Sequence, residues 1–139
     1  MNNNLFWTQI LSNPTIYELG QCLLGARKVR KKFLDEYVQP WEGANILDIG
    51  CGTGEILKLL PPVSYSGIDI NEANIRSAKR KFGNTAQFIC DHIDNGFKYD
   101  LKNFDIILAV GVLHHLDGDS AQSLFKIAQK AMKPKGRLY

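Results

Sequence analysis

Three acids stand where apolar runs give way to loops. Asp48 lies in Ile46-Leu47-Asp48-Ile49, Asp69 follows Gly67-Ile68, and Asp91 follows Phe88-Ile89-Cys90. Glycines come after the first acid at alternate positions, Gly50, Gly52 and Gly54. At a strand-to-helix turn such glycines permit positive φ and let the backbone approach a ligand closely. The helix that follows offers unpaired N–H groups. An acid just before the turn favours a cationic ligand or a hydrogen-bond donor over a phosphate. A dinucleotide loop needs G-x-G-x-x-G or G-x-G-x-x-A, but Glu55 occupies the last position here. Asp48 and Glu55 would also flank a pyrophosphate unfavourably. A phosphate-binding P-loop fails too, because no Gly-Lys-Ser/Thr follows.

His114 and His115 form a tandem pair. A histidine titrates near neutrality and could act as a general base on a substrate. The pair could bind a metal, but two histidines without a second cluster are a poor ligand set, and no metal is expected. It could also simply shape its loop. Cys51 lies in the glycine loop without a partner base and is not expected to be a nucleophile.

Positioning these groups requires alternating strands and helices. Ala44 to Ile49 reads as a buried strand. Gly54 to Leu60 reads as a helix stopped by Pro61-Pro62. Val63 to Ile70 is a second strand, after which Asn71 caps a helix running to Phe82. Thr85 to Cys90 and the strongly apolar Phe104 to Val110 are further strands. Ser120 to Met132 is a helix ended by Pro134, and Gly136 to Tyr139 begins a fifth strand. His92 to Asn103 is too polar for a full helix. Such alternation implies right-handed crossovers and a mostly parallel sheet covered on both faces. Ligands bind such sheets beyond the carboxyl ends of the strands, where strand order reverses. Upstream, Thr15 to Glu18 fits a capping box. Apolar residues then recur at Ile16, Leu19, Leu23, Ala26, Val29, Phe33 and Tyr37, one helical face that Gly25 could divide. Residues 1–42 are therefore expected to form a helical segment and residues 43–139 the α/β core.

The 139 residues suffice for one domain with a real core, and 45% apolar with 22% charged residues is ordinary for a globular protein. No apolar run approaches the roughly 18 residues that span a membrane. The first residues lack the basic n-region of a signal peptide. Three cysteines, Cys22, Cys51 and Cys90, without C-x-x-C suit a reducing, cytoplasmic setting. A net charge of +3 is too small to argue for nucleic acid. The basic run Arg27 to Lys32 reads first as a solvated helix face.

The stretch LDIGCGTG resembles motif I of the class I S-adenosylmethionine (SAM) dependent methyltransferases. YSGIDIN (65–71), FICDHID (88–94) and FDIILAVGVLHHL (104–116) look like their second, third and fourth motifs, and MKPKGRLY (132–139) is similar to the start of their post-sheet motif. The resemblance covers about Ala44 to Tyr139 with correct order and spacing. The loop VGVLHHL most resembles the small-molecule branch that includes quinone-biosynthesis enzymes, and the helical start looks like the N-terminal lid of some members. Gly111-Val112-Leu113-His114 stands where many nucleic-acid amino methyltransferases carry Asn/Asp-Pro-Pro-Tyr/Phe, which argues against those enzymes.

The resemblance implies a Rossmann-like α-β-α sandwich with strand order 3-2-1-4-5 and SAM as cofactor, with S-adenosylhomocysteine as its product. It assigns Asp48 to the methionine amino group and lays Gly50, Cys51, Gly52 and Gly54 along the methionine part. Asp69 would accept both ribose hydroxyls, and Ile70 would pack on the adenine. Asp91 would accept from the adenine amino group and the His92 backbone N–H would serve a ring nitrogen. Ala109, Val110 and Gly111 would lie beside the methionine part. Tyr17 and Gln21 could face the cofactor from the lid. The family's sheet has seven strands, and this chain ends within the fifth. A SAM-binding domain without independent catalysis is therefore the alternative to an active enzyme, and self-association along the fifth strand is expected.

Overall fold

The computed structural model describes residues 25–139. The expected capping box at Thr15, the stripe residues Ile16, Leu19 and Leu23, and the lid residues Tyr17 and Gln21 lie outside them. The chain divides into two units, residues 1–37 and 38–139. In the first, helix α1 covers residues 25–33 and passes into a π turn, Leu34–Val38. The expected apolar face is corrected here. Val29 and Tyr37 are 69% and 64% exposed, while Leu34 is buried, as is Val38 at the start of the second unit. A π turn packs more residues into each turn than an α-helix, so the 3.6-residue phase read from the sequence does not continue through it.

The second unit is a five-stranded parallel sheet of β1 (Asn45–Ile49), β2 (Ser64–Asp69), β3 (Gln87–Cys90), β4 (Phe104–Leu108) and β5 (Met132–Leu138). The order is β3-β2-β1-β4-β5, as expected. Its two long helices are α2 (Glu72–Phe82) and α3 (Gly118–Ala131). Strand alternation sorts the side chains of β1 to opposite faces. Leu47 and Ile49 join Ile107 and the α3 residues Leu124, Ile127 and Ala128 in one core. Asp48 faces the other way, towards Tyr65. On that side Phe88 packs against Tyr65 and the α2 residue Phe82, with ring centroids 5.9 and 5.8 Å apart. Both helices start on side-chain caps. The Asn71 carboxamide oxygen accepts from the Ala73 and Asn74 N–H groups, and the Asp117 carboxylate accepts from the Ser120 N–H.

Three elements differ from the sequence reading. Gly54 to Leu60 forms a 3-10 turn, Glu55–Leu59, in place of an α-helix. Leu60 is extended (φ −85°, ψ 152°), as a residue before proline must usually be, and this cuts the segment short. The polar segment after β3 agrees with the reading, winding only as the 3-10 turn Ile93–Lys98. Helix α3 ends at Ala131, ahead of Pro134, and β5 begins at Met132, well before Gly136. Phe104 pairs with Met132 but Ile106 pairs with Arg137, so β5 bulges and Pro134 sits in the bulge. Arg137 stacks between the Trp41 and Tyr139 rings. This is a broken template for another strand. Among the described residues no helix is long and apolar enough to cross a membrane.

Candidate functional site

A cavity of about 340 Å³ opens beyond the carboxyl ends of β1 to β4, at the point where strand order reverses. Its volume is in the range of small-molecule sites. Ile49 and Gly50 come from the end of β1, Ile68, Asp69 and Ile70 from β2, and Asp91, His92 and Ile93 from β3. Gly111, Val112, His115 and Leu116 close it from the segment after β4. Among the described residues the lining carries two carboxylates and two imidazoles and no lysine or arginine.

The glycine loop is a tight turn bonded to its own surroundings. The N–H groups of Gly50 and Cys51 both donate to the Ile68 carbonyl at 2.8 and 3.1 Å, and Gly54 N–H donates to the Cys51 carbonyl at 3.0 Å. Gly52 N–H donates to Asp69 Oδ2 at 2.8 Å. These donors are taken within the protein, so the loop offers little to a phosphate. All three glycines have positive φ. At Gly50 an added Cβ would also meet Val112 Cγ2 at 2.8 Å, whereas at Gly52 it would meet nothing within 4 Å. Gly50→Ala is therefore expected to lower stability by about 2–4 kcal/mol, from the left-handed backbone plus overpacking. Gly52→Ala should cost only the backbone part, about 1–2 kcal/mol. Urea denaturation giving equal losses at the two positions would contradict this.

Asp69 bridges two elements. Its Oδ1 accepts from Asn71 N–H and its Oδ2 from Gly52 N–H, both at 2.8 Å. Asp91 is more heavily engaged. Its Oδ1 accepts from His92 N–H and from Asn95 Nδ2, and its Oδ2 from the Tyr99 hydroxyl, each at 2.7 Å. The Tyr99 hydroxyl, then the Asn95 amide and the His92 N–H, hold this carboxyl at about 2. The His92 N–H, expected to serve a ligand, thus points at Asp91, and the His92 ring lies against Asp94 (Nδ1 to Oδ2 2.9 Å).

Of the residues singled out from sequence, Gly50, Asp69, Ile70, Asp91, His92, Gly111 and His115 line the cavity. Asp48, Cys51, Gly52, Gly54, Ala109 and Val110 do not. Asp48 is buried beneath the loop and accepts from the Tyr65 hydroxyl at 2.6 Å. The Cys51 thiol is buried against Gly67, where burial first and Asp48 second push its pKa up, so it stays protonated and unreactive. Ala109 N–H donates to the Tyr139 carbonyl, and Val110 is exposed. His114 and His115 share the 3-10 turn Leu113–His115. No group of three or more metal-ligating side chains occurs among the described residues. Val112, Leu116 and Ile93 were not anticipated as lining residues. Neither were the supports Tyr65, Asn95 and Tyr99.

Residues 46–136 match the family model described as a methyltransferase domain. The chain belongs to this family. The class I Rossmann-like assignment drawn from the motifs therefore holds. The chain is 24% identical over 116 residues to a ubiquinone biosynthesis O-methyltransferase of Idiomarina loihiensis, covering 80% of this chain and 47% of that protein. It is 34% identical over 73 residues to the human probable tRNA methyltransferase 9B, covering 52% of this chain and 15% of that one. The chain thus spans about half the length of the first of these relatives and far less of the second. Among solved structures, a TehB-like SAM-dependent methyltransferase from Corynebacterium glutamicum superposes with a TM-score of 0.69 at 25% identity, covering 88% of this chain and 68% of that one.

Proposed function

We propose that this methyltransferase domain binds SAM across the carboxyl ends of β1 to β4 and transfers its methyl group to a small-molecule acceptor. The observation that carries this reading is a cavity lined by the carboxylates of Asp69 and Asp91, with no lysine or arginine among the described residues of its lining. That lining suits a ligand bearing sulfonium and ammonium charges and would repel a pyrophosphate. The same residues fit an adenosyl group. Asp69 keeps acceptor capacity for ribose hydroxyls, Asp91 for an exocyclic amine, and Ile70 and Ile93 supply apolar surface for a base. Asp48, buried under the loop and outside the lining, is proposed to act on the methionine amino group through its charge. When bound, the cofactor supplies a methyl carbon already activated by its sulfonium. The chain's own residues then need to orient the acceptor and exclude water. His115 lines the cavity, and on this reading it would take a proton if the acceptor must lose one. The alternative, loop-shaping by the histidines, predicts that cofactor affinity and turnover fall together in His115→Ala. Action as a base predicts loss of turnover alone.

A small acceptor is favoured by the exposed apolar side chains Val110 and Leu113 beside the cavity and by the absence of lysine and arginine among the described residues of its lining. The ubiquinone-pathway relative supports the same class, whereas the tRNA methyltransferase relative keeps RNA in the test. Calorimetric titration with SAM, S-adenosylhomocysteine and NAD should give binding of the first two only. Methyl release onto a panel of phenols, amines and tRNA then separates an active enzyme from a SAM-binding domain without catalysis. Binding of NAD in preference to SAM would overturn the reading.

A further inference from the structure

We infer that Tyr99 and Asn95 are positioning residues that turn Asp91 into a single-acceptor reader of the ligand's base, selecting an exocyclic amine over an oxo group. This rests on the adenosyl reading of the cavity. A carboxylate offers about four acceptor sites. Asp91 Oδ1 has filled two, with the His92 N–H and the Asn95 amide, and Oδ2 has filled one, with the Tyr99 hydroxyl. One site on Oδ2 is left, and Asp91 lines the cavity. The acid's own backbone is fixed as well, since Asp91 N–H donates to the Asp69 carbonyl at 3.1 Å. Asp91, Asn95 and Tyr99 recur every four residues, so the segment after β3 wraps its donors around one carboxylate. That arrangement leaves the group as an acceptor with its remaining lobe held in one direction. A base presenting an amine there donates to it. A base presenting an oxo group sets one acceptor against another and forgoes that bond.

Tyr99 contributes orientation through its hydroxyl, and the residue lies with Leu101 and Ile127 in the lining of a second cavity. Tyr99→Phe retains the ring and removes that hydroxyl, so Oδ2 gains rotational freedom. The test is calorimetric titration of S-adenosylhomocysteine and its 6-oxo analogue, S-inosylhomocysteine, into wild type, Tyr99→Phe and Asn95→Ala. Wild type should prefer the amine by about tenfold or more, and each variant should lower that ratio to about threefold with the melting temperature nearly unchanged. A simple structural role would weaken both ligands alike and leave the ratio intact. An unchanged ratio in both variants overturns the clamp while the adenosyl reading stands. Failure of wild type to bind either compound overturns both. Asn95→Ala alters an independent donor, so the result does not depend on Tyr99→Phe folding normally.

Discussion

Asp69→Asn is expected to weaken binding of SAM and S-adenosylhomocysteine by about 10- to 100-fold and to lower the stability of the protein as well. The carboxylate has two structural duties before any ligand arrives. One oxygen holds the Gly52 N–H in the glycine loop and the other holds the Asn71 N–H at the start of α2. Asparagine supplies one acceptor oxygen in place of two. Whichever way the amide is turned, its NH₂ faces a backbone N–H, donor against donor, at either Gly52 or Asn71. The variant therefore loses one charge-assisted bond within the protein and one to the ribose, each worth about 1.5–3 kcal/mol. Only the ribose bond bears on affinity, because the bond within the protein is missing from the free and the bound variant alike and lowers stability instead; about 1.5–3 kcal/mol corresponds to about 10- to 100-fold. Calorimetric titration of wild type and variant measures this directly. A loss smaller than about threefold in a folded variant would remove Asp69 from the site.

The frame of this site was legible because its determinants are local. Asn71 announces the start of α2, the apolar runs mark four strands to within two residues at each end, and the glycines mark the turn. The contacts that give those residues their particular jobs are not local. Gly50 is a glycine partly because Val112, 62 residues later, packs over it. Tyr99 reaches Asp91 from a polar segment whose 3-10 winding has no apolar period to reveal it. The π turn that brings Leu34 into burial breaks the very period used to read α1. One support could have been found. Asp48 pairs with Gly67 in the β1–β2 register, so Tyr65, two residues earlier in β2, lies on the same face as a diagonal neighbour. Gly67 leaves that face open, and the space is filled by Cys51.

Tyr65→Phe is expected to cost about 1–3 kcal/mol of stability at neutral pH and to flatten the protein's loss of stability in alkali. The hydroxyl is 2.6 Å from Asp48 Oδ2, and both side chains are buried, so the variant takes a donor from a carboxylate that water does not reach well. Burial, and then the Asp48 charge, push the Tyr65 phenol far above its ordinary value of 10. The folded state therefore keeps this proton where the unfolded chain releases it. The resulting stability is fully present below pH 10 and declines as pH rises above it, by about 1.4 kcal/mol per pH unit for one such group. Cys51, raised from 9 in the same direction, adds a similar decline that starts one unit lower. Urea denaturation of wild type and Tyr65→Phe from pH 8 to about pH 11 separates the two contributions, since Cys51 titrates in both proteins and cancels in their difference. The gap between them should be constant up to about pH 10 and then close as alkali removes the wild type's advantage. A gap that stays constant to the highest pH would mean that the Tyr65 phenol titrates alike in the folded and unfolded chains, and that Asp48 is held beneath the glycine loop by other contacts.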